Sequence, residues 1–169
     1  MGLPGAVGLY DPSCEHDSCG VGFVVNINGY KSHEIIEKGI EVLNNLLHRG
    51  ASGADENTGD GAGLLFQLPD LFFRREASRL KIELPKGDYG VGMCFLPMEV
   101  GKRRHCMNFA LDTASEEKLT LLGWREVPVE PSVLGVQARN EMPSIWQCFL
   151  ASDHVKGDDF ERKIYTFRK

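Results

Sequence analysis

A cysteine opens a β-prone run close to the start of the chain. The run reads Cys19-Gly20-Val21-Gly22-Phe23 and continues to position 27 with three β-branched residues and one asparagine. This composition predicts a strand over residues 21–27, and Asn28-Gly29 directly after it predicts a turn. Glycine inside a strand pattern often marks the close approach of a ligand or of another backbone. We therefore expect a strand whose first residues lie against a ligand or another segment.

Cys19 itself allows two interpretations. Free cysteine is among the most buried residue types, so Cys19 can simply begin a core strand. If the peptide bond before it is cut, however, one residue carries both a thiol and an α-amino group. The amine titrates at about pH 7.7–8.0 and the thiol at about 8.5, so the amine can accept the thiol's proton at neutral pH. Cys19 is then a nucleophile with its own base, and we assign no role to the histidines His33, His48, His105 and His154.

The remaining sequence alternates predicted helices and strands. Ser32 is a plausible N-cap of a helix whose apolar face repeats through Ile36, Ile40, Leu43 and Leu47 and whose end is set by Gly50. Further helices are predicted over residues 71–80 and 101–122, with Gly123 as the stop. Further strands are predicted over residues 61–68, 89–96, 124–129, 145–151 and 160–168. By itself this order allows antiparallel sheets between helices or a parallel βαβ sheet.

Length, charge and cysteine content limit the classes of function. The 169 residues make one ordinary domain, and a net charge of −5 gives no reason to expect nucleic acid or an anionic membrane as partner. The first 18 residues contain no lysine or arginine and are unlike a signal peptide, and no run of the chain is apolar enough to span a bilayer. Five cysteines without compact spacing indicate reduced thiols in a cytoplasmic protein. They are Cys14, Cys19, Cys94, Cys106 and Cys148.

Two other motifs are weighed and disfavoured. Cys14, His16 and Cys19 lie close together, but structural zinc normally takes a fourth ligand from a second pair, and the sequence offers none. The segment Gly59-Asp60-Gly61-Ala62-Gly63 is similar to a phosphate-binding loop, but such loops open a helix and these glycines precede a predicted strand. We interpret the glycines as close backbone packing beside an active site, with Asp60 as a local hydrogen-bond acceptor.

Six separated motifs occur in the order found in one enzyme family. They cover residues 19–31, 44–51 (with His48-Arg49-Gly50), 58–63, 89–97, 123–128 and 160–165. Through these motifs the chain resembles, from about Leu9 to its last residue, the class II glutamine amidotransferase domain at the start of the large subunit of glutamate synthases. That domain is a member of the N-terminal-nucleophile hydrolases.

The resemblance implies a fold, a processing step and two site residues. The fold is α+β, a four-layer αββα sandwich of antiparallel sheets, of which this chain holds the first part. Residues 1–18 are a propeptide whose removal exposes Cys19, and residues 19–169 are the N-terminal portion of the amidotransferase domain. Cys19 attacks the side-chain amide of glutamine, and the ammonia released is transferred to 2-oxoglutarate. Arg49 is an active-site positioning residue; without the resemblance it is a helix-end arginine that compensates the helix dipole.

The family's substrate-binding groups are expected beyond Lys169. These groups hold the carboxylate and α-amino group of glutamine and include the Asn-Gly pair of the oxyanion hole. Since losing one oxyanion donor costs on the order of a hundredfold to a thousandfold in rate, we expect the chain to be nearly inactive alone. FMN and an iron–sulfur cluster are expected only in downstream domains of the parent enzyme, so this chain is expected to hold no cofactor.

Three hypotheses for function follow from the sequence. The first is the glutaminase part of a glutamate synthase, with glutamine as substrate and the rest of the large subunit or a complementary chain as partner. The second is a noncatalytic binding or assembly module that retains the fold. The third is a stand-alone hydrolase of another amide. The sequence leaves open whether the parent enzyme takes electrons from a nicotinamide or from ferredoxin.

Overall fold

The chain folds as two units, Met1–Phe66 and Gln67–Lys169. The computed structural model describes residue 8 and residues 20–46, 58–59 and 61–169. Helices and an antiparallel sheet make up the described part, so the α+β class is confirmed.

Helix α1, His33–Asn45, is the helix formed by the described residues of the first unit. It begins directly after Ser32, as predicted. Its inward face is confirmed at Ile36 and Leu43, whereas the prediction of Ile40 on that face is wrong because this side chain is 49% exposed. The inward stripe is instead centred on the buried Gly39, where a Cβ atom would come within 2.8 Å of Leu64 Cδ1. The predicted contributions of Leu47 and Gly50 lie outside the described residues.

The two segments predicted as strands in this unit are not paired. Residues 20–26 and 61–68 carry no ladder hydrogen bonds in the described part of the chain, so the strand predictions over 21–27 and 61–68 are wrong in that respect. Contact and exposure nevertheless alternate along residues 20–24, which is the pattern of an extended backbone. The predicted turn is confirmed: Gly29 N donates to Asn26 O at 2.9 Å, and Gly29 takes the left-handed φ of +73° that favours glycine.

A three-stranded antiparallel sheet forms the centre of the second unit. Strands β1 (Gly90–Leu96), β2 (Thr120–Glu126) and β3 (Ser144–Ala151) lie in the order β1-β3-β2. Both pairings are antiparallel, so the parallel βαβ alternative does not hold for this sheet. The strands predicted over 89–96 and 145–151 are confirmed, and β3 is central and the most buried of the three.

Four α-helices accompany the sheet: α2 (Asp70–Arg79), α3 (Val100–Glu116), α4 (Val136–Glu141) and α5 (Asp158–Arg168). A short 3-10 helix, Pro131–Val133, precedes α4. The helix predicted over 71–80 is confirmed as α2. The helix predicted over 101–122 ends early, at Glu116, and β2 starts at Thr120 rather than 124.

The strand predicted over residues 160–168 is wrong, because this segment is helix α5. Phe160, Ile164 and Phe167 recur with helical spacing and pack on the core. Acidic residues at the start of α5 also favour a helix, since they compensate the positive end of its dipole. They are Asp158, Asp159 and Glu161.

Alternate residues of β3 build cores on the two faces of the sheet. Cys148 and Leu150 point to one face and pack with the residues Ala114, Leu119 and Phe160. Phe149 points to the opposite face, where its ring meets that of Phe73 edge to face with centroids 5.8 Å apart. Because β3 is covered on both faces, its last four residues, 148–151, are all apolar and buried rather than alternating.

Candidate active site

The segment that follows Cys19 lies against helix α1. A Cβ atom built on Gly22 would be 2.5 Å from Val42 Cγ1, and one on Gly20 would be 3.0 Å from Leu46 Cδ2. Val21 and Phe23 point away and are 92% and 89% exposed. The expected close approach at the two glycines is therefore confirmed, and the approaching group is a helix face.

An apolar groove of about 310 Å³ adjoins this contact. It is bounded by residues 20–24 and 63–66 and by one face of α1. All of its described lining residues are glycine, aliphatic or phenylalanine, so they supply no acid, base or charge. Amide chemistry in this unit therefore requires groups from residues outside this lining. In the sequence, Cys19 directly precedes the lining residue Gly20.

The two predicted site residues, Cys19 and Arg49, lie outside the described residues. The same holds for His48 and Asp60, and for Cys14 and His16 of the disfavoured metal motif. Within the described ranges, no three histidine, cysteine or acidic side chains form a group able to hold a metal ion. The catalytic role of Cys19 and the positioning role of Arg49 remain predictions.

Two glycines of the glycine-rich segment, Gly61 and Gly63, have open space beside them. A Cβ atom added at Gly61 or Gly63 would meet nothing within 4 Å, so close backbone packing at these two positions is wrong. No helix opens on these glycines, since the next one, α2, begins at Asp70. The segment thus lacks the loop-to-helix geometry with which phosphate loops bind their ligand.

The described histidines lie at the surface. The side chain of His33 is 80% exposed, with Nε2 3.9 Å from Glu37 Oε1, and His105 and His154 are exposed as well. The two tryptophans have structural positions. Trp124 packs against the core, and Trp146 Nε1 donates to Ser144 Oγ at 2.8 Å.

A pair of thiols in the sheet was not predicted. Cys94 on β1 and Cys148 on β3 have Sγ atoms 3.8 Å apart, and both are free. Their shared hydrogen bond, together with burial, raises the pKa of the Cys148 thiol, and the same hydrogen bond lowers the pKa of Cys94. The sequence places both residues on predicted strands but does not reveal the register that joins them, because they are 54 residues apart.

A charged network joins α2 to the sheet and was also not predicted. Arg125 Nη2 lies 3.2 Å from Glu76 Oε2, and Arg125 Nη1 donates to Gln147 Oε1 at 3.0 Å. Burial raises the pKa of the Glu76 carboxyl, but the Arg125 hydrogen bond and the charges of the residues Arg79, Arg125 and Arg75 outweigh it and lower the pKa. The charges of Arg125 and Glu76 are paired with each other, so we interpret the network as a structural link between α2 and the sheet.

No helix in the described ranges is both long and apolar enough to cross a membrane.

The chain shares extensive sequence with glutamate synthases. It is 42% identical over 170 residues to "Glutamate synthase [NADPH] large chain" of Bacillus subtilis, which covers 99% of this chain and 11% of the relative. It is 40% identical over 175 residues to "Glutamate synthase [NADH]" of Schizosaccharomyces pombe, covering 99% of this chain and 8% of the relative. With "Ferredoxin-dependent glutamate synthase 2" of Synechocystis it is 39% identical over 156 residues, covering 91% of this chain and 10% of the relative.

The chain thus spans about a tenth of the length of these relatives. Residues 19–169 also match the family described as "Glutamine amidotransferases class-II", and this match begins at Cys19 and includes every described element of both units. Since the match covers all but the first 18 residues, the chain belongs to the class-II glutamine amidotransferase family.

Proposed function

We propose that this chain is the amidotransferase part of a glutamate synthase, which hydrolyses the side-chain amide of glutamine with Cys19 as nucleophile and takes its substrate-binding groups from the rest of the large subunit or from a complementary chain. The observation that carries the proposal is that the family match starts at Cys19 itself. The placement of Gly20 and Gly22 against α1 supports it, because a nucleophile works best on a backbone that is held rigidly.

The proposed reaction uses both functional groups of a terminal Cys19. The α-amine accepts the thiol proton, and the sulfur attacks the side-chain carbonyl carbon of glutamine. The tetrahedral intermediate collapses as the amine returns the proton to the leaving nitrogen, which releases ammonia and leaves a glutamyl thioester. Water then attacks the thioester, giving glutamate and the free thiol. The sum is glutamine plus water to glutamate plus ammonia.

Other parts of the proposal come from the family. Arg49 acts as a positioning residue near the terminal cysteine, and the fold of the complete domain is a four-layer αββα sandwich. The apolar side chains that point away from α1, such as Phe23, are suited to packing between two such sheets. Transfer of the ammonia to 2-oxoglutarate, and the FMN and iron–sulfur chemistry of synthesis, belong to other domains of the parent enzyme. The parent enzyme is proposed to be cytoplasmic.

A reagent specific for terminal cysteine tests the central requirement. Cyanobenzothiazole condenses with a 1,2-aminothiol, so we expect it to label the natively produced chain at Cys19, together with an intact mass lacking residues 1–18. The Cys19→Ala variant should not react, and Cys106→Ser, which removes a partly buried thiol of α3, should react fully.

Glutamine analogues then separate the enzyme from a binding module. In the chain assembled with the rest of the large subunit or with a complementary chain, which supplies the groups that hold glutamine, the electrophile 6-diazo-5-oxo-norleucine should modify Cys19 and no other thiol. In the same assembly, ammonia should be released from glutamine faster than from other amides. A chain that keeps a peptide bond before Cys19, yet folds, supports the noncatalytic assembly module instead. Release of ammonia from other amides at an equal rate supports the stand-alone hydrolase.

A further inference from the structure

Two glycines next to the proposed nucleophile rest on two side chains of helix α1. Gly22 faces Val42 and Gly20 faces Leu46. A Cβ atom at Gly22 would be 2.5 Å from Val42 Cγ1, a distance that real Cβ atoms essentially never show, and one at Gly20 would be 3.0 Å from Leu46 Cδ2. The backbone of residues 20–22 therefore lies too close to the helix to leave room for a Cβ atom at Gly22, and leaves little room for one at Gly20.

The two contacts can form together because the spacing of alternate residues in the extended segment nearly equals the spacing of every fourth residue along the helix. Two residues of extended chain advance about 6.6 Å, and four residues of helix advance about 6.0 Å. Gly20 and Gly22 can thus meet Leu46 and Val42 at the same time, with the segment running opposite to α1. Two contacts in line fix both the distance of the backbone from the helix and its direction, which a single contact cannot do.

We infer that Val42 and Leu46 are positioning residues for Cys19, forming what we call the α1 seat; the inference rests on the proposed function. Gly20 shares its peptide bond with Cys19, so any displacement of residues 20–22 is transmitted directly to the nucleophile. Relieving a 2.5 Å contact to ordinary van der Waals distance requires a shift of about 1 Å. A misplacement of that size can cost about a hundredfold in an enzymatic rate.

If the α1 seat positions the segment, a substitution in the seat should compensate for a substitution in the segment. A methyl group at position 22 collides with Cγ1 of Val42, and the substitution Val42→Ala removes that atom. Gly22→Ala alone should therefore displace the segment, and Gly22→Ala combined with Val42→Ala should let it settle back. Gly87→Ala is the matched control, because a Cβ atom there meets nothing within 4 Å.

The test measures the reactivity of Cys19 and the stability of the fold separately. Iodoacetamide alkylation of Cys19 is followed by peptide mass spectrometry from about pH 6 to pH 9, with Cys106 as internal reference, and thermal unfolding is recorded for every variant. We expect Gly22→Ala to slow Cys19 alkylation about tenfold relative to Cys106. In the chain assembled with the rest of the amidotransferase domain, the same substitution should lower kcat for glutamine about a hundredfold with little change in KM. The double variant should return to within about twofold of the original chain, and Gly87→Ala should not differ from it.

Several results would overturn the inference. One is a folded Gly22→Ala variant whose Cys19 reacts at the original rate, including the case in which only the unfolding temperature falls. Another is a double variant with no recovery. If Gly22→Ala does not fold, Gly20→Ala with and without Leu46→Ala decides the question in the same way. A chain without a terminal aminothiol contradicts the proposed function, whereas the ratio of Cys19 to Cys106 alkylation still reports on the seat.

Discussion

Tyr89 illustrates how one side chain acquires its properties from its neighbours. Its hydroxyl donates to Asp70 Oδ1 at 2.8 Å, and the Arg74 guanidinium lies over its ring, 5.4 Å from the centroid. Burial, followed by the hydrogen bond to Asp70, raises the pKa of Tyr89 to about 12. The neutral phenol is the form that the folded state prefers.

Tyr89→Phe should destabilise the chain by about 1 kcal/mol at neutral pH, because Asp70 loses a hydrogen-bond donor. A raised pKa gives stability that is complete below the unfolded value of about 10 and is lost as the pH rises through the folded value. The difference between the original chain and the variant should therefore shrink between about pH 10 and pH 12. Urea unfolding at pH 7 and above pH 11 measures it; a difference that stays constant would contradict the assigned hydrogen bond.

Helices α2 and α3 both end without the glycine that usually marks a helix C-terminus in a sequence. In both helices the residue after the C-cap is a lysine with left-handed backbone, Lys81 at φ 57° and Lys118 at φ 61°. At the end of α3, Lys118 N donates to Ser115 O and Leu119 N donates to Ala114 O, which is the Schellman pattern. Glycine usually occupies the left-handed position, so a lysine there gives no stop signal. The predicted helix consequently continued to the next glycine, Gly123.

Lys118→Gly should stabilise the chain by roughly 0.5–1 kcal/mol, because a residue without Cβ relieves the left-handed strain at some cost in unfolded-state entropy. The backbone carbonyl of residue 118 accepts a hydrogen bond from Ser152 Oγ at 2.8 Å, and the glycine variant keeps this carbonyl. Lys118→Ala, which removes the charge but keeps a Cβ atom, is the control and should remain close to the original chain. Chemical unfolding compares the three; a glycine variant less stable than the alanine variant would disprove the strain.

The accuracy of the sequence predictions followed the range of the interactions involved. Local patterns correctly predicted α2, β1, β3 and the turn at Gly29, since neighbouring residues decide them. The local sequence could not show whether residues 20–26 pair with another strand, because pairing needs a partner that composition does not specify. The Cys94–Cys148 pair and the Arg125 network depend on strand register and could not be found from spacing. The six motifs led to the family because they preserve order along the whole chain.

An exposed apolar surface in the described part of the first unit lies on the side of residues 20–27 that points away from α1. Val21 and Ile27 are 92% and 95% exposed, with Phe23 and Val25 between them, and Leu65 of the second extended segment is 99% exposed. Aliphatic and aromatic side chains at every second position are typical of a strand that packs between layers. This surface is where the proposed sandwich would place its second sheet.

Replacing Phe23 by Ser and Val25 by Thr should therefore lower the binding of a hydrophobic dye such as ANS to this chain, because the two side chains are 89% and 67% exposed. The unfolding temperature should stay nearly unchanged, since exposed positions contribute little to stability. Val42→Ala is a contrasting variant, because Val42 contacts Gly22 and its truncation should lower the unfolding temperature without reducing dye binding. Dye titration and thermal unfolding on the same samples separate the two faces. A large loss of stability in the Phe23→Ser, Val25→Thr variant would mean that these side chains already pack inside the chain, leaving no open face for a second sheet.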